Sequence, residues 1–178
     1  MLSKSMMMST KSTQARPNRV LAFDPGYERL GVAVVEREGS RETLVYSDCL
    51  RTKASLPFED RLLALGKEVE ALIKKFEPQQ IALEEIYFQK NEKTATKIAE
   101  VRGMLSYIAR SYGLSVRHFT PQEVKIAVTG YGKSDKAGVT AMVSKLVRLP
   151  AKKRLDDEMD AIAIGLTCLA TSASALLR

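Results

Sequence analysis

Three short apolar segments follow one another near the start of the chain and are joined only by turns. Residues 20–23 end at Asp24-Pro25-Gly26, residues 31–35 are rich in valine, and residues 44–50 follow a turn at Gly39-Ser40. Short apolar or β-branched runs bounded by such turn residues are typical of strands. The segments therefore predict three strands in a meander, with an aspartate at the end of the first.

Helical and strand patterns alternate after the meander. Apolar residues at spacings of three and four predict a helix between Pro57 and Pro78. A fourth strand over residues 80–83 then delivers Glu84 and Glu85. The remaining predicted elements are a helix capped by Asn91 and closed by Gly113, a strand over residues 116–119, a capping-box helix from Thr120 to Gly130, a helix capped by Ser134, and a last helix that begins near Leu155.

This order of elements predicts an α/β fold of the ribonuclease H-like kind, in which a five-stranded mixed sheet is flanked by helices. A length of 178 residues suits one domain. Hydrophobic residues make up 45% of the chain and charged residues 28%, close to the globular average, which argues against wholesale disorder. We predict one ribonuclease H-like domain over residues 20–178, preceded by an extension over residues 1–19.

The net charge of +7 is unevenly distributed along the chain. Residues 1–19 contain four basic residues and no acid, which predicts a disordered basic tail and leaves a role as a targeting signal open. Residues 87–154 contain fourteen basic residues and four acids. A positive field of this size favours a polyanionic partner, and the alternative is a set of solvated basic helix faces.

Cysteine content and hydropathy argue against several other classes of protein. Cys49 and Cys168 form no C-x-x-C pair, so the sequence does not support a zinc or disulfide scaffold and favours a reducing cytoplasm. No stretch reaches the roughly 18 uninterrupted apolar residues of a membrane-spanning helix. We therefore expect a cytoplasmic protein without a membrane span.

Four acids stand at the ends of predicted elements, where solvation is not the obvious explanation. Asp24 and Glu84 follow the first and fourth strands, which we expect to lie side by side. Asp157 and Asp160 are three residues apart in the last helix, so their side chains share one helical face. Clustered carboxylates repel one another unless a cation neutralises them, and oxygen ligands select hard ions such as Mg²⁺ or Mn²⁺. The alternatives are a plain turn at Asp24 and a favourable charge at the helix N-terminus.

Several sequence segments, taken in their order along the chain, carry a family resemblance. They are Leu21-Ala-Phe-Asp-Pro-Gly26, Leu50-Arg-Thr-Lys53, Ala82-Leu-Glu84 with Lys90-Asn91, Ala99-Glu-Val-Arg-Gly103, and Leu149-Pro-Ala151 leading into residues 157–163. Together they closely resemble the RuvC family of bacterial Holliday junction resolvases, from about residue 20 to residue 169. The resemblance implies a metal-dependent endonuclease that acts as a homodimer and nicks two strands of a four-way DNA junction symmetrically during recombination and repair. It also implies the RuvA and RuvB branch-migration helicase complex as a partner.

The resemblance further implies which residues carry out catalysis. The four catalytic acids of the family map onto Asp24, Glu84, Asp157 and Asp160, which are expected to hold two Mg²⁺ ions, with Mn²⁺ able to substitute. Glu85 stands where the family commonly has an uncharged residue. This departure leaves the expected chemistry intact, and it leaves open how the groove contacts the DNA.

Aromatic and basic side chains are expected to contact the DNA. Tyr87 maps onto an aromatic residue that the family places near the junction, where Phe is more familiar. Tyr87 and its neighbour Phe88 both suit stacking on an unpaired base, with core packing as the alternative. The lysines expected to contact junction phosphates are Lys90, Lys125, Lys133 and Lys136. Of these lysines, Lys125 and Lys136 map onto basic residues that line the active site of the family.

Other functions stay open from the sequence. An Asp-x-Gly motif after a first strand also occurs in actin-like kinases and ATPases, but these need two such domains around a nucleotide and this chain has room for one. A ribosomal-RNA-processing nuclease of the same fold is a nearer rival. A junction-binding module without catalysis is disfavoured because all four acids are present.

Overall fold

The computed structural model describes residues 18–85 and 92–175. In chain order these ranges form β1 (Asn18–Asp24), β2 (Arg29–Glu38), β3 (Arg41–Arg51), α1 (Phe58–Phe76), β4 (Gln80–Glu84), α2 (Glu92–Ser111), β5 (Ser115–Phe119), α3 (Pro121–Thr129), α4 (Lys136–Leu146) and α5 (Asp156–Ala175). The order of strands and helices is the one predicted from the sequence.

The strands form one sheet in the order β3-β2-β1-β4-β5. β1, β2 and β3 pair in antiparallel fashion, as expected for a meander. β1 pairs with β4 and β4 with β5 in parallel, and α1 and α2 supply the crossovers that parallel neighbours need. The predicted five-stranded mixed sheet is confirmed, and β1 lies at its centre beside β4.

Side chains alternate between the two faces of the sheet, and each face carries its own core. On one face large residues such as Leu21, Phe23 and Leu83 pack against α1 and α2. On the other face smaller residues such as Ala22 and Ala82 pack against α3, α4 and α5. The fold is therefore a three-layer arrangement with helices on both faces of the sheet.

Small residues let α5 lie close to the sheet. A methyl group added at Gly165 would come within 2.8 Å of a methyl carbon of Val35 and 3.2 Å of the Cβ of Ala22. Buried residues fill most of α5 from Met159 to Leu169, as expected for a helix that is apolar around most of its surface. This close packing fixes the position of α5 across β1 and β2.

Local sequence signals define several helix ends as predicted. The Thr120 side chain and the Glu123 side chain form a reciprocal capping box at the start of α3. Gly130 and Gly113 follow α3 and α2 with φ angles of 75° and 72°, a left-handed conformation that favours glycine. In the described ranges, no helix has both the length and the apolar surface to cross a membrane.

The predicted N-cap of α4 is wrong by one residue. The side chain of Asp135 accepts a hydrogen bond from the backbone N–H of Gly138 at 2.8 Å and caps the helix. The hydroxyl of Ser134 is instead hydrogen-bonded to the hydroxyl of Thr129 at 2.7 Å, within the preceding turn. Aspartate and serine are equally good N-caps, so tertiary contacts of Ser134 decide between them.

The domain begins two residues earlier than predicted. Asn18 and Arg19 belong to β1, although the sequence placed them in the extension. The Arg19 guanidinium donates to Glu36 on β2 at 2.9 Å and to the backbone carbonyl of Phe76 at the end of α1. These contacts hold the start of β1 in the sheet. Residues 1–17 of the predicted extension lie outside the described residues.

Candidate active site

Two of the predicted acids stand at the carboxyl ends of neighbouring parallel strands. Asp24 is the last residue of β1, and Glu84 is the last residue of β4. The register pairs Phe23 with Leu83 immediately before them, so both acids emerge at the same edge of the sheet. In open α/β sheets this edge is where ligands bind.

A glycine allows α5 to approach this edge with the other two acids. Gly31 pairs with Asp24 in the ladder between β1 and β2. A methyl group added at Gly31 would lie 1.9 Å from the backbone carbonyl oxygen of Asp157 and 3.2 Å from the Cβ of Asp24. Any other residue at position 31 would therefore push the first turn of α5 away from β1. Glycine at this position places Asp157, and Asp160 one turn later, beside Asp24.

Asp24 is the electrostatic centre of the four acids. Burial, followed by the negative charges of Glu84, Asp160 and Asp157, raises the pKa of Asp24 from 3.8 to about 7, and the charge of Lys136 opposes this rise. Neighbouring carboxylates raise a pKa in this way only when they lie close to the group in a partly desolvated site. The structure thus brings together all four acids that the sequence singled out.

Glu84 and Asp160 line one cleft together with two lysines. The cleft has a volume of about 270 Å³, and Lys125 of α3 and Lys136 of α4 also line it. The Lys136 Nζ atom lies 3.1 Å from Oδ2 of Asp160 and 3.4 Å from Oδ2 of Asp156. Burial, and then the charge of Asp160, raises the pKa of Glu84. Carboxylates and ammonium groups in one cleft can bind a cation and a phosphate side by side.

Asp157 faces a second cleft, where it pairs with an arginine side chain. The Nε atom of Arg29 lies 3.4 Å from Oδ2 of Asp157, which makes an ion pair. Among the described residues, this Oδ2 atom is buried and has no hydrogen-bond partner. A buried carboxylate oxygen without a donor carries a desolvation penalty that a bound cation would relieve.

The four acids fit a hard divalent cation by residue type, location and mutual repulsion. In the portion of the chain that is described, no three Asp, Glu, His or Cys side chains are positioned so that they could hold a metal ion together. Instead Asp160 pairs with Lys136 and Asp157 pairs with Arg29. A metal bound to these aspartates would take the place of the two ion pairs.

Arg102 of α2 also reaches this site, and the sequence reasoning did not single it out. Its positive charge opposes the raised pKa of Glu84. The Arg102 Nη2 atom donates to Nδ1 of His118, an exposed residue of β5, at 2.9 Å. Burial lowers the pKa of Arg102, and the charges of Glu85 and Glu84 oppose that change. Arg102 belongs to one of the segments that carry the family resemblance, which is the signal that could have found it.

The predicted DNA contacts fall into separate groups in the structure. Lys125 and Lys136 line the cleft that contains Glu84 and Asp160. Lys133 is exposed before α4 and does not line that cleft. The three other predicted contacts lie outside the described residues: Tyr87, Phe88 and Lys90.

Comparison with known proteins identifies relatives along most of the chain. The family model described as "Crossover junction endodeoxyribonuclease RuvC" matches residues 20–168. The chain is 42% identical to RuvC of Leifsonia xyli subsp. xyli over 163 residues, which cover 86% of this chain and 78% of that protein. It is 40% identical to RuvC of Ruminiclostridium cellulolyticum over 147 residues, which cover 83% of this chain and 89% of that protein.

Solved structures show the same relationship. Thermus thermophilus RuvC in complex with a Holliday junction substrate superposes with a TM-score of 0.83 at 28% identity, over 88% of this chain and 96% of that chain. The yeast mitochondrial Holliday junction resolvase Ydc2 shares the fold, with a TM-score of 0.69 at 14% identity, over 90% of this chain and 82% of that chain. Since the family model covers most of the domain, this chain belongs to the RuvC family of crossover junction endodeoxyribonucleases.

Proposed function

We propose that this protein resolves four-way DNA junctions by metal-dependent hydrolysis, with Asp24, Glu84, Asp157 and Asp160 as its catalytic acids. The observation that carries the proposal is the convergence of these acids from β1, β4 and α5, where burial and then the charges of the other three acids raise the pKa of Asp24 to about 7. The reaction is inferred from family membership, and the catalytic residues are inferred from the position of the acids in this chain.

The four carboxylates, Asp24 among them at the centre, would hold two Mg²⁺ ions, with Mn²⁺ able to substitute. When bound, such ions activate a water molecule and stabilise the departing 3′ oxygen of a phosphodiester. Below about pH 7 Asp24 holds a proton in the absence of a cation, so metal binding at neutral pH releases part of a proton. The Lys136 ammonium, now paired with Asp160, is placed to contact a phosphate once that pair opens.

Basic residues around the acids would bind the DNA backbone. Lys125 and Lys136 support this assignment because they share a cleft with Glu84 and Asp160. Lys133 is exposed nearby in sequence and would contact a more distant phosphate. The three assignments that stay predictions from the sequence are Tyr87 and Phe88 as stacking residues and Lys90 as a phosphate contact.

A synthetic four-way junction tests the function directly. With Mg²⁺ we expect paired nicks at symmetrical positions on two strands, and with EDTA we expect none. A linear duplex of identical sequence is the control for structure, and its cleavage is expected to be at least about tenfold slower because its strands do not open at an exchange point. Cleavage of a structured RNA in preference to the junction would favour the ribosomal-RNA-processing nuclease instead.

Symmetrical nicks need two active sites, so we also propose that the protein is a C₂ homodimer. An exposed stripe of small residues on α2, Ala99 and Gly103, leads to Tyr107, whose side chain is 76% exposed. Beside this stripe a groove of about 480 Å³ separates α2 from α1 and is lined by apolar residues that include Leu63 and Met104. These features support α2 as the contact between the two copies.

Gly103→Gln tests the dimer without disturbing the folded protomer. A Cβ at position 103 has no other atom within 4 Å, so the side chain fits the monomer, and the loss of a helical glycine should stabilise α2 by about 0.5–1 kcal/mol. We expect dimerisation to weaken at least about tenfold in sedimentation, since a bulky side chain would separate the two helices. Ala71→Gln, on the exposed surface of α1, is the matched control. A wild-type monomer that still makes paired nicks would refute the dimer.

The family resemblance implies the RuvA and RuvB branch-migration complex as a partner. The cytoplasm as the place of action follows instead from the cysteine content and hydropathy of the sequence. In the described residues, the cysteines Cys49 and Cys168 are both free, which fits a reducing compartment.

A further inference from the structure

Arg29 lies in a second cleft on the Asp157 side of the acids. This cleft has a volume of about 220 Å³ and is lined by Asp157, Arg29 and Glu28 together with Thr94 and Ile98 of α2. It shares no lining residue with the cleft of Glu84, Lys125 and Lys136. The acids therefore have a basic cleft on one side and the Arg29 cleft on the other.

The Arg29 guanidinium is available for a ligand. Its side chain is 55% exposed, and in the described part of the chain its one ion pair joins Nε to Asp157 Oδ2 at 3.4 Å. Arginine carries five N–H donors in a planar fork, so an Nε contact leaves the two terminal nitrogens free. The negative charge of the nearby Glu28 is partly offset by Arg61, whose Nη2 atom lies 4.0 Å from Oε1 of Glu28.

From this geometry we propose that Arg29 and Thr94 form a phosphate subsite that holds a backbone phosphate next to the scissile one. The proposal rests on the proposed nuclease function, because a divalent cation at Asp157 frees the charge of Arg29 for an anion. A planar guanidinium suits bidentate contact with phosphate oxygens, and a threonine hydroxyl can donate a further hydrogen bond. A DNA strand crossing the four acids from the lysine cleft would enter this second cleft.

The test measures junction affinity in Ca²⁺ for DNA in which single phosphates around the cleavage site are replaced by neutral methylphosphonates. A denaturing gel confirms that the junction stays uncut. In the wild-type protein we expect one position adjacent to the scissile phosphate to weaken binding about five- to tenfold. In Arg29→Gln the same methylphosphonate is expected to change the affinity less than twofold, because the contact is already lost. Relative to wild type, the slope of log affinity against log salt concentration should fall in Arg29→Gln by about one phosphate contact.

Arg51→Gln is the matched control. Arg51 is exposed and pairs with Arg29 in the ladder between β2 and β3, so its loss removes an equal charge one strand away. We expect Arg51→Gln to keep the wild-type sensitivity at every position, and Arg29→Lys to keep part of it. Equal sensitivity of Arg29→Gln and wild type would overturn the subsite, as would slower cleavage by Arg29→Gln with no change in the methylphosphonate pattern. A wild-type protein that binds no junction would instead refute the proposed function.

Discussion

Asp24→Asn is expected to abolish junction cleavage, with a loss of at least about 1000-fold, because metal stabilisation of the transition state is worth several kcal/mol. The charges of the other three acids all raise the pKa of Asp24, so the loss of Asp24 removes the centre of the proposed metal site. Junction binding in EDTA should stay within about twofold of wild type, since DNA affinity comes mainly from basic side chains. Cleavage on a gel and binding in EDTA measure the two effects separately.

Asp48→Asn is the control for the loss of one negative charge. Asp48 is exposed on β3, where it accepts a hydrogen bond from the hydroxyl of Tyr46 at 3.1 Å. This variant is expected to cleave at the wild-type rate. Wild-type rates in Asp24→Asn would contradict the assignment of the active site.

The same Asp24→Asn variant should be more stable than wild type in metal-free buffer at pH 8. The pKa of Asp24 is 3.8 in an ordinary environment and about 7 in the folded protein, so the folded state binds the proton more tightly. The stability of the wild type therefore falls as the pH rises from about 4 to about 7 and stays low above that. We expect a difference on the order of 2–4 kcal/mol at pH 8 that disappears towards pH 4. Thermal unfolding across this pH range measures it, and a difference that is independent of pH would contradict the electrostatic explanation.

Glu158→Gln is expected to produce the largest loss of stability. Glu158 stands between Asp157 and Met159 in the first turn of α5, and it is only 3% exposed. Its Oε1 atom lies 2.7 Å from Nζ of Lys152 and 3.2 Å from Nε of Arg154. Removing the carboxylate leaves the guanidinium of Arg154, whose side chain is only 7% exposed, without its charge partner, which costs about 3 kcal/mol. For a chain of this size the melting temperature should fall by roughly 6–12 °C.

The network around Glu158 also explains which control is suitable. Lys152 donates to the backbone carbonyl of Ser47 on β3 at 2.8 Å, so the network joins α5 to the sheet. Asp156 stands in the same helical turn but is 82% exposed. Asp156→Asn is expected to change the free energy of unfolding by no more than about 0.5 kcal/mol. Equal losses in the two variants would show that burial of Glu158 contributes little.

Much of the candidate active site could be predicted from the sequence because its acids stand at the ends of regular elements. The turn after Asp24, the strand before Glu84 and the spacing of Asp157 and Asp160 are local patterns. The meander order then required β1 to lie beside the fourth strand, which the sheet confirms. The capping box of α3 is equally local, whereas the cap of α4 was placed one residue early because Ser134 is drawn into a contact with Thr129.

Contacts between residues far apart in sequence were decided only by the tertiary structure. The sequence by itself determined the order of elements and the fold, and it singled out the four candidate acids, since these depend on periodicity, turns and spacing. It did not determine that Arg29 meets Asp157 or that Arg102 lies near Glu84, because each pair is joined by packing between separate elements. In the sequence, Glu158 is the third of three consecutive acids at the start of the last helix, and nothing there marks it as buried. It is buried because the loop before α5 folds back on it with two cations. Burial and long-range charge interactions depend on which faces of the elements pack together. Close packing at glycines such as Gly31 sets this arrangement, and only the folded chain shows that the space left by the absent side chain is occupied by the backbone of Asp157.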